Sequence, residues 1–329
     1  MHEPHHGSAH RPFSLAPDPR YLYRSASFTN ALSLVRYAAR RREGVIVLTG
    51  ESGVGKTTLC RTILAQLHPK ACSALVLNPF ISEDDLLRVI LQEFGVISAD
   101  EVRRGHLNGV TARELIDTLH EFLVSLRAIG ANALLVIDEA HSLTLQVLDQ
   151  VRMLARLESA GDPLLHIVLV GQESLRDLLR SAPLRTFDEQ ISVRYHLRPF
   201  TRDETAAYIA RRLRLAGGSV AFTPTAAGRV HRHTAGIPRT VNLLCDRVVR
   251  QARLQRTTRV GRKLVDATAQ SVDLARPYRG PVDWMRQRSA ALVTGAAIVA
   301  AAAAIAYGVT QYHGQEARPQ ETAPVSQRR

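Results

Sequence analysis

The sequence predicts an α/β fold, in which a parallel sheet is covered by helices and followed by a smaller helical lobe. Three observations lead to this prediction. Residues 45–48 form an apolar run with the length and the branched side chains of a buried parallel strand. Residues 58–67 then place their apolar side chains at helical spacing. A second apolar run, residues 133–137, ends in two carboxylates, and open α/β sheets bind ligands at that end of their strands.

The segment between the first strand and its helix has the glycine pattern of a phosphate-binding loop, G-x-x-x-x-G-K-T. Its glycines allow the backbone N–H groups and the helix N-terminus to face a phosphate. We expect Lys56 to reach the β- and γ-phosphates of ATP and the Thr57 hydroxyl to bind Mg²⁺. The residues predicted to bind the nucleotide here are Gly50, Glu51, Ser52, Gly53, Val54, Gly55, Lys56, Thr57 and Thr58.

Lys56 is a lysine in a chain whose basic residues are almost all arginines. Lys and Arg total 43, yet only Lys56, Lys70 and Lys263 are lysines. Because Arg is used almost everywhere else, a Lys at this position indicates that a compact ammonium is required. A glycine turn that precedes a helix by chance is the alternative, and the strand ahead of the loop argues against it.

The second apolar run, as a strand, places Asp138 and Glu139 at the carboxyl edge of the sheet. Asp138 suits the second coordination sphere of Mg²⁺, and Glu139 can orient and deprotonate the attacking water. Gln172 follows a further predicted strand, residues 164–170. It could sense the γ-phosphate or position water, and an amide that only caps the turn is the equal alternative.

The remaining elements follow from the hydrophobic period. Two more strands, residues 74–77 and 191–197, bring the predicted sheet to five strands. Further helices are predicted at residues 28–42, 84–94, 111–126, 203–215, 224–233 and 240–256. From residue 201 onward the pattern predicts helices only, so we expect a small helical lobe behind the α/β domain.

The composition indicates an acidic partner, because the formal net charge is +13 and the pI is about 10.4. Between residues 194 and 262, fifteen Arg are accompanied by only three carboxylates. Nucleic acid, anionic lipid and phosphates are all consistent with this excess. The three cysteines lack metal-site spacing and fit a reducing cytosol. Residues 1–20 have no apolar core, so no signal peptide is predicted.

Residues 289–312 carry no formal charge and are predicted to form one transmembrane helix. These 24 residues can cross a hydrocarbon core of about 30 Å. Trp284, Tyr307 and Tyr312 fit the aromatic belts at the two interfaces. Arginines cluster just before the segment, so we expect a single-pass anchor in the inner membrane with the ATP site in the cytoplasm. A buried Ala-rich helix is the alternative.

These motifs together resemble AAA+ ATPases and, more narrowly, the ExeA-type (general secretion pathway protein A) branch. The resemblance covers residues 11–270. It is carried by residues 11–13 and 17–23, by Leu48-Thr49-Gly50-Glu51, by Asp138-Glu139-Ala140-His141, by Leu169-Val170-Gly171-Gln172 and by Gly236-Ile237-Pro238-Arg239. It implies a P-loop NTPase with a five-stranded parallel sheet and a helical lid that hydrolyses ATP with Mg²⁺. Arg239 would contact ATP from the lid, and Asn78 would restrain Glu139 until a partner engages.

The sequence departs from the family pattern at Gln190, which occupies the position of the usual arginine finger supplied by a neighbouring subunit. An arginine finger can be worth about 10³–10⁵ in rate. The departure therefore implies slow turnover, or a finger supplied by Arg185 or Arg194 instead.

Three functions remain open from the sequence. The first is a membrane-anchored ATPase that couples ATP turnover to the assembly or export of a cell-envelope component. The others are an ATPase that acts on DNA and a nucleotide-gated scaffold with little hydrolysis. The expected partners are ATP, inner-membrane lipid, further copies of the chain and an envelope or secretion protein, with DNA as the alternative.

The predicted domain organisation begins with an extended arm, residues 11–23, laid on the ATPase domain near the nucleotide base. The boundaries are residues 1–43 for the arm and first helix, 44–200 for the ATPase domain, 201–272 for the lid, 273–288 for a linker, 289–312 for the transmembrane helix and 313–329 for a short polar tail.

Overall fold

In the computed structural model of the chain, five parallel strands form the predicted sheet. They are β1 (Val45–Gly50), β2 (Ala71–Val76), β3 (Asn132–Ile137), β4 (Leu165–Gly171) and β5 (Ile191–Leu197). The strands lie in the order β2-β3-β4-β1-β5, and every neighbouring pair is parallel. Because all the strands are parallel, the segments that follow them lie at one edge of the sheet, and those after β1 and β4 are neighbours there.

The structure describes residues 11–41, 43–67, 71–77, 82–98, 100–101, 109–217 and 220–271. All of them belong to the first of two units of the chain, Met1–Leu274. Asn78 and the predicted linker, membrane segment and tail lie outside these ranges. Within the ranges, no helix combines the length and the hydropathy that a membrane crossing needs.

The helices cover both faces of the sheet, as the apolar runs of its central strands β1 and β3 require. The helices of the α/β domain are α1 (Ala26–Arg41), α2 (Lys56–Ala65), α3 (Glu83–Glu93), α4 (Ala112–Ala128), α5 (Leu145–Leu154), α6 (Ser174–Leu179) and α7 (Arg185–Glu189). Alternate residues of β1 enter different cores: Val45 and Val47 join the cluster formed with α3, α4 and α5, whereas Ile46 and Leu48 join the cluster formed with α1 and α2. Buried on both faces, β1 holds the loop that follows it in a fixed place.

The lid contains four helices among the described residues: α8 (Arg202–Leu215), α9 (Pro224–Thr234), α10 (Pro238–Leu254) and α11 (Arg262–Ser271). The prediction of helices only was wrong, because Ala221–Phe222 pairs in parallel with Arg259–Val260. Each of these strands is two residues long, which is too short to produce a visible alternation of apolar and polar residues. This pairing of strands holds the start of α9 next to the start of α11.

The N-terminal arm packs mainly on the lid, which corrects the predicted placement, and Leu22 packs against the core that α1 and α2 form with the sheet. Phe13 is 1% exposed and belongs to the core of the lid. Arg212 donates from Nη1 to the carbonyl oxygens of Pro12 and Ser14, at 2.9 and 3.2 Å. Its guanidinium also lies over the rings of Tyr21 and Tyr208. No local pattern predicts this contact, because the partners are about 200 residues apart.

Candidate active site

The phosphate-binding loop lies where the sequence predicts it, between β1 and α2. Gly55 adopts a left-handed backbone with φ 106°, and α2 starts at Lys56, two residues earlier than predicted. Lys56, Thr57 and Thr58 therefore form the first turn of the helix, whose backbone N–H groups have no partner within the helix. Such a turn is a ready anion site, since the helix dipole also favours negative charge there.

The lid contacts this loop at Gly53. Gly53 has a φ of 79°, and its carbonyl oxygen accepts the backbone N–H of Arg239 at 3.2 Å. A side chain would not fit, since a Cβ on Gly53 would lie 2.7 Å from the Cβ of Arg239. Glycine at this position thus allows the N-terminus of α10 to approach the phosphate site.

Lys56 is buried, with 6% of its surface exposed. Its ammonium donates to the carbonyl oxygens of Gly50 and Glu51, at 3.0 and 3.1 Å. Burial lowers the pKa of Lys56, while the carboxylates of Glu139 and Asp138 act against this shift. The predicted base and the predicted metal residue thus both favour the charged form of the ammonium.

Thr57 and Asp138 are in direct contact. The Thr57 hydroxyl donates to Oδ2 of Asp138 at 2.6 Å, and the second oxygen, Oδ1, accepts the backbone N–H of Glu139 at 2.9 Å. Asp138 is 2% exposed, so these bonds fix its carboxylate. Hydroxyl and carboxylate oxygens are ligands that suit Mg²⁺, which completes its shell with water and substrate phosphates. The residues present therefore fit the predicted metal, with Thr57 as a direct ligand and Asp138 behind it.

Glu139 adopts a left-handed backbone, with φ 52° and ψ 30°. This conformation is uncommon for a residue other than glycine, and such residues concentrate at functional sites. Its side chain is 41% exposed, so the carboxylate is accessible to water. Oε2 lies 3.4 Å from Nδ1 of His141, in the turn that follows.

Gln172 directly follows β4, at the same edge of the sheet as Asp138. The backbone carbonyl oxygen of Gln172 accepts the N–H of Leu175, which closes the turn into α6. The side chain of Gln172 is half-buried at this edge, so both roles considered for it, next to the γ-phosphate and as a cap of the turn, stay predictions.

The guanidinium of Arg239, at the second residue of α10, is exposed beside the loop. The structure therefore brings the loop, Asp138, Glu139, Gln172 and Arg239 to one edge. Of the predicted catalytic set, Asn78 alone falls outside the described residues.

Gln190 contacts an arginine that sequence reasoning missed. With its amide oxygen facing Arg156, Gln190 accepts from Nη2 and Nε at 3.0 and 3.1 Å. Arg194 is held by Asp188, with Nη1 2.9 Å from Oδ1. Arg185 is 81% exposed on its side chain and lies 3.7 Å from Glu189. The contact with Arg156 joins residues 34 positions apart, and no local pattern marks it.

Comparison with known proteins identifies the family. A model of the AAA domain matches residues 39–179. General secretion pathway protein A of Aeromonas hydrophila is 38% identical over 244 residues, which is 74% of this chain and 43% of that protein. The chain thus spans less than half the length of this relative.

Solved structures share the fold at low identity. CDC6P from Pyrobaculum aerophilum has a TM-score of 0.60 at 18% identity, covering 79% of this chain and 70% of its own. The ORC2 protein of Aeropyrum pernix gives 0.57 at 18% identity, with 79% and 71% covered. The Holliday junction branch migration motor RuvB of Thermotoga maritima gives 0.50 at 21% identity, with 75% and 69% covered. The fold, the loop geometry and the identity to the secretion protein agree: this chain belongs to the AAA+ ATPases, in their ExeA-like branch.

Proposed function

We propose that the chain binds ATP with Mg²⁺ in the loop after β1 and hydrolyses it at the edge formed by β1, β3 and β4. The contact between Thr57 Oγ1 and Asp138 Oδ2, at 2.6 Å beside the buried Lys56, is the observation that carries this proposal. A hydroxyl, a fixed carboxylate and an ammonium converge there on the space for a phosphate and its metal.

Each residue then has a defined task. Lys56 exchanges its bonds to the loop carbonyl oxygens for bonds to phosphate oxygens, and Thr57 supplies one metal ligand. Bound Mg²⁺ would neutralise charge on the phosphate oxygens. Glu139 orients the attacking water and accepts its proton. Gln172 senses the γ-phosphate, and Arg239 adds positive charge from the lid.

We propose further that this activity takes place at the inner membrane and drives the assembly or export of an envelope component. The support is the apolar segment at residues 289–312 and the arginines that precede it. The name of the A. hydrophila relative links that protein to general secretion. Residues 44–200 and 201–272 would then form the motor, and residues 273–288 would connect it to the anchor.

We expect the chain to partition with membranes and to resist extraction by high salt, because an apolar span is not released by ionic screening. Deleting residues 290–310 should release it as a basic, soluble protein. Fractionation of cells that express each form, followed by salt and detergent washes, measures this. Release of the full-length chain by salt alone would mean that the attachment is electrostatic.

A second candidate, an ATPase that acts on DNA, is favoured by the surface of the lid. Several of its arginines are exposed and form no ion pair with other described residues: Arg202, Arg211, Arg214, Arg232, Arg247, Arg253, Arg256, Arg259 and Arg262. Such a surface attracts phosphates of nucleic acid or of the anionic inner leaflet. Binding of the soluble form to duplex DNA, without binding to anionic vesicles, would favour this second function.

We expect the purified chain to hydrolyse ATP slowly and Gln190→Arg to raise kcat without tightening ATP binding. An amide forms hydrogen bonds but brings no positive charge to the γ-phosphate of a neighbouring subunit, whereas an arginine stabilises the transition state. Turnover at saturating ATP should be compared for Gln190→Arg and for alanine at Arg156, Arg185 and Arg194. An unchanged Gln190→Arg, together with one alanine variant as inactive as Glu139→Gln, would identify that arginine as the finger instead.

A further inference from the structure

The ring of His141 places a buried nitrogen beside the proposed general base. Among the described residues, Nδ1 of His141 is inaccessible to water and makes no hydrogen bond. Oε2 of Glu139 lies 3.4 Å from this nitrogen, which is longer than a well-formed hydrogen bond. Buried polar atoms are rarely left unpaired, so this one requires an explanation.

The backbone around His141 is fixed, so the ring cannot turn away easily. His141 lies in a short 3-10 turn, Ala140–Ser142, that starts at the left-handed Glu139. Ala140 is fully buried, and the His141 side chain is 14% exposed. The end of β4 packs against the turn, since a Cβ on Gly171 would lie 3.1 Å from the backbone nitrogen of His141. The backbone of the turn is therefore held against the strand that leads to Gln172, and the ring lies next to Glu139.

The Glu139 carboxylate is the one that can move, because its side chain is far more exposed than the ring. A small rotation of the Glu139 side chain would bring Oε2 within hydrogen-bond distance of Nδ1. Catalytic hydrogen bonds are often long without substrate and shorten when the site closes on it. A base oriented by a third group is also a recurring arrangement in enzymes.

We propose that His141 is a positioning residue for Glu139. When ATP is bound, Nδ1–H donates to Oε2, and Oε1 is thereby aimed at the attacking water. This requires a hydrogen on Nδ1, as in the neutral Nδ1–H tautomer or the protonated ring. The inference rests on the proposed function, and it gives the base an orienting partner within its own turn.

Three substitutions of His141 separate positioning from simple packing. Asn places its amide nitrogen near the site of Nδ1, whereas Gln reaches toward the site of Nε2, and Ala removes both donors. We expect His141→Ala and His141→Gln to lower kcat by about tenfold or more, as loss of a hydrogen bond to a charged group does, and His141→Asn to recover most of the rate. The dissociation constant for ATP should change by less than about twofold in all three, because the proposed bond acts on the base and not on the phosphates.

The measurements are hydrolysis at saturating Mg²⁺ and ATP, equilibrium titration with a fluorescent ATP analogue, and thermal unfolding of each variant. Full activity of His141→Ala, or a loss that His141→Asn does not relieve although it binds ATP and unfolds like wild type, would overturn the role of His141 alone. A wild-type rate no higher than that of Glu139→Gln would overturn hydrolysis itself and this inference with it.

Discussion

We expect Lys56→Ala to abolish ATP binding at the concentrations at which wild type is saturated. Residues 50–58 contain no other cation, and Glu51 adds a negative charge, so alanine leaves the phosphates without their counter-ion. The loss of charge-assisted hydrogen bonds to two phosphates should weaken ATP affinity by roughly 100-fold or more. Equilibrium binding of a fluorescent ATP analogue measures this directly.

Lys263→Ala is the matched control, because it removes the same charge from an exposed position in α11 of the lid. It should bind ATP like wild type. Thermal unfolding without nucleotide should show that Lys56→Ala is folded, because the buried Asp138 carboxylate keeps its hydrogen bonds to the Thr57 hydroxyl and to the backbone N–H of Glu139. Wild-type affinity in the folded Lys56→Ala variant would contradict the assignment of the loop.

Glu139→Gln should retain ATP and lose hydrolysis. The amide keeps the size of the carboxylate and one acceptor oxygen but cannot take a proton from water. A general base contributes about 10²–10⁴ in rate, so we expect kcat to fall by at least about 100-fold. Steady-state phosphate release at saturating ATP measures the loss, and nucleotide titration should give an affinity near that of wild type.

Glu173→Gln is the matched control for this variant. Glu173 also lies at the carboxyl edge of the sheet, directly after Gln172, and its side chain is 60% exposed. It should hydrolyse ATP at the wild-type rate. Equal hydrolysis by Glu139→Gln would mean that another group takes the proton.

The strands and the main site could be predicted because each is encoded locally. β1 and β4 are mostly apolar, and both are buried along their whole length. The residues that follow parallel strands must lie at one edge, so Lys56, Asp138 and Gln172 could be expected together before any distance was known. The geometry adds the 2.6 Å bond between Thr57 and Asp138 that closes the metal side of the site.

The rest depends on contacts that no local pattern encodes. Helices α6 and α7 are six and five residues long, too short for a clear helical period. Phe13 has no neighbour in sequence that indicates a place in the lid core. Similarly, the approach of Arg156 to Gln190 depends on how α5 and β5 pack.

The role of His141 is an intermediate case. Its position after Asp138-Glu139-Ala140 is visible in the sequence, but this spacing does not show that the ring is buried. The structure shows both the left-handed backbone of Glu139 and the buried ring next to its carboxylate. Backbone strain of this kind is a tertiary effect, so the sequence cannot report it.

The central claim is that this edge of the sheet binds ATP and cleaves it with Glu139 as the base. To test this, wild type and Glu139→Gln are each incubated with ATP and Mg²⁺, and unbound ligand is removed. The nucleotide that stays bound to each protein is then identified. We expect ADP on the wild type and intact ATP on Glu139→Gln. ADP on both proteins, or intact ATP on both, would contradict this claim.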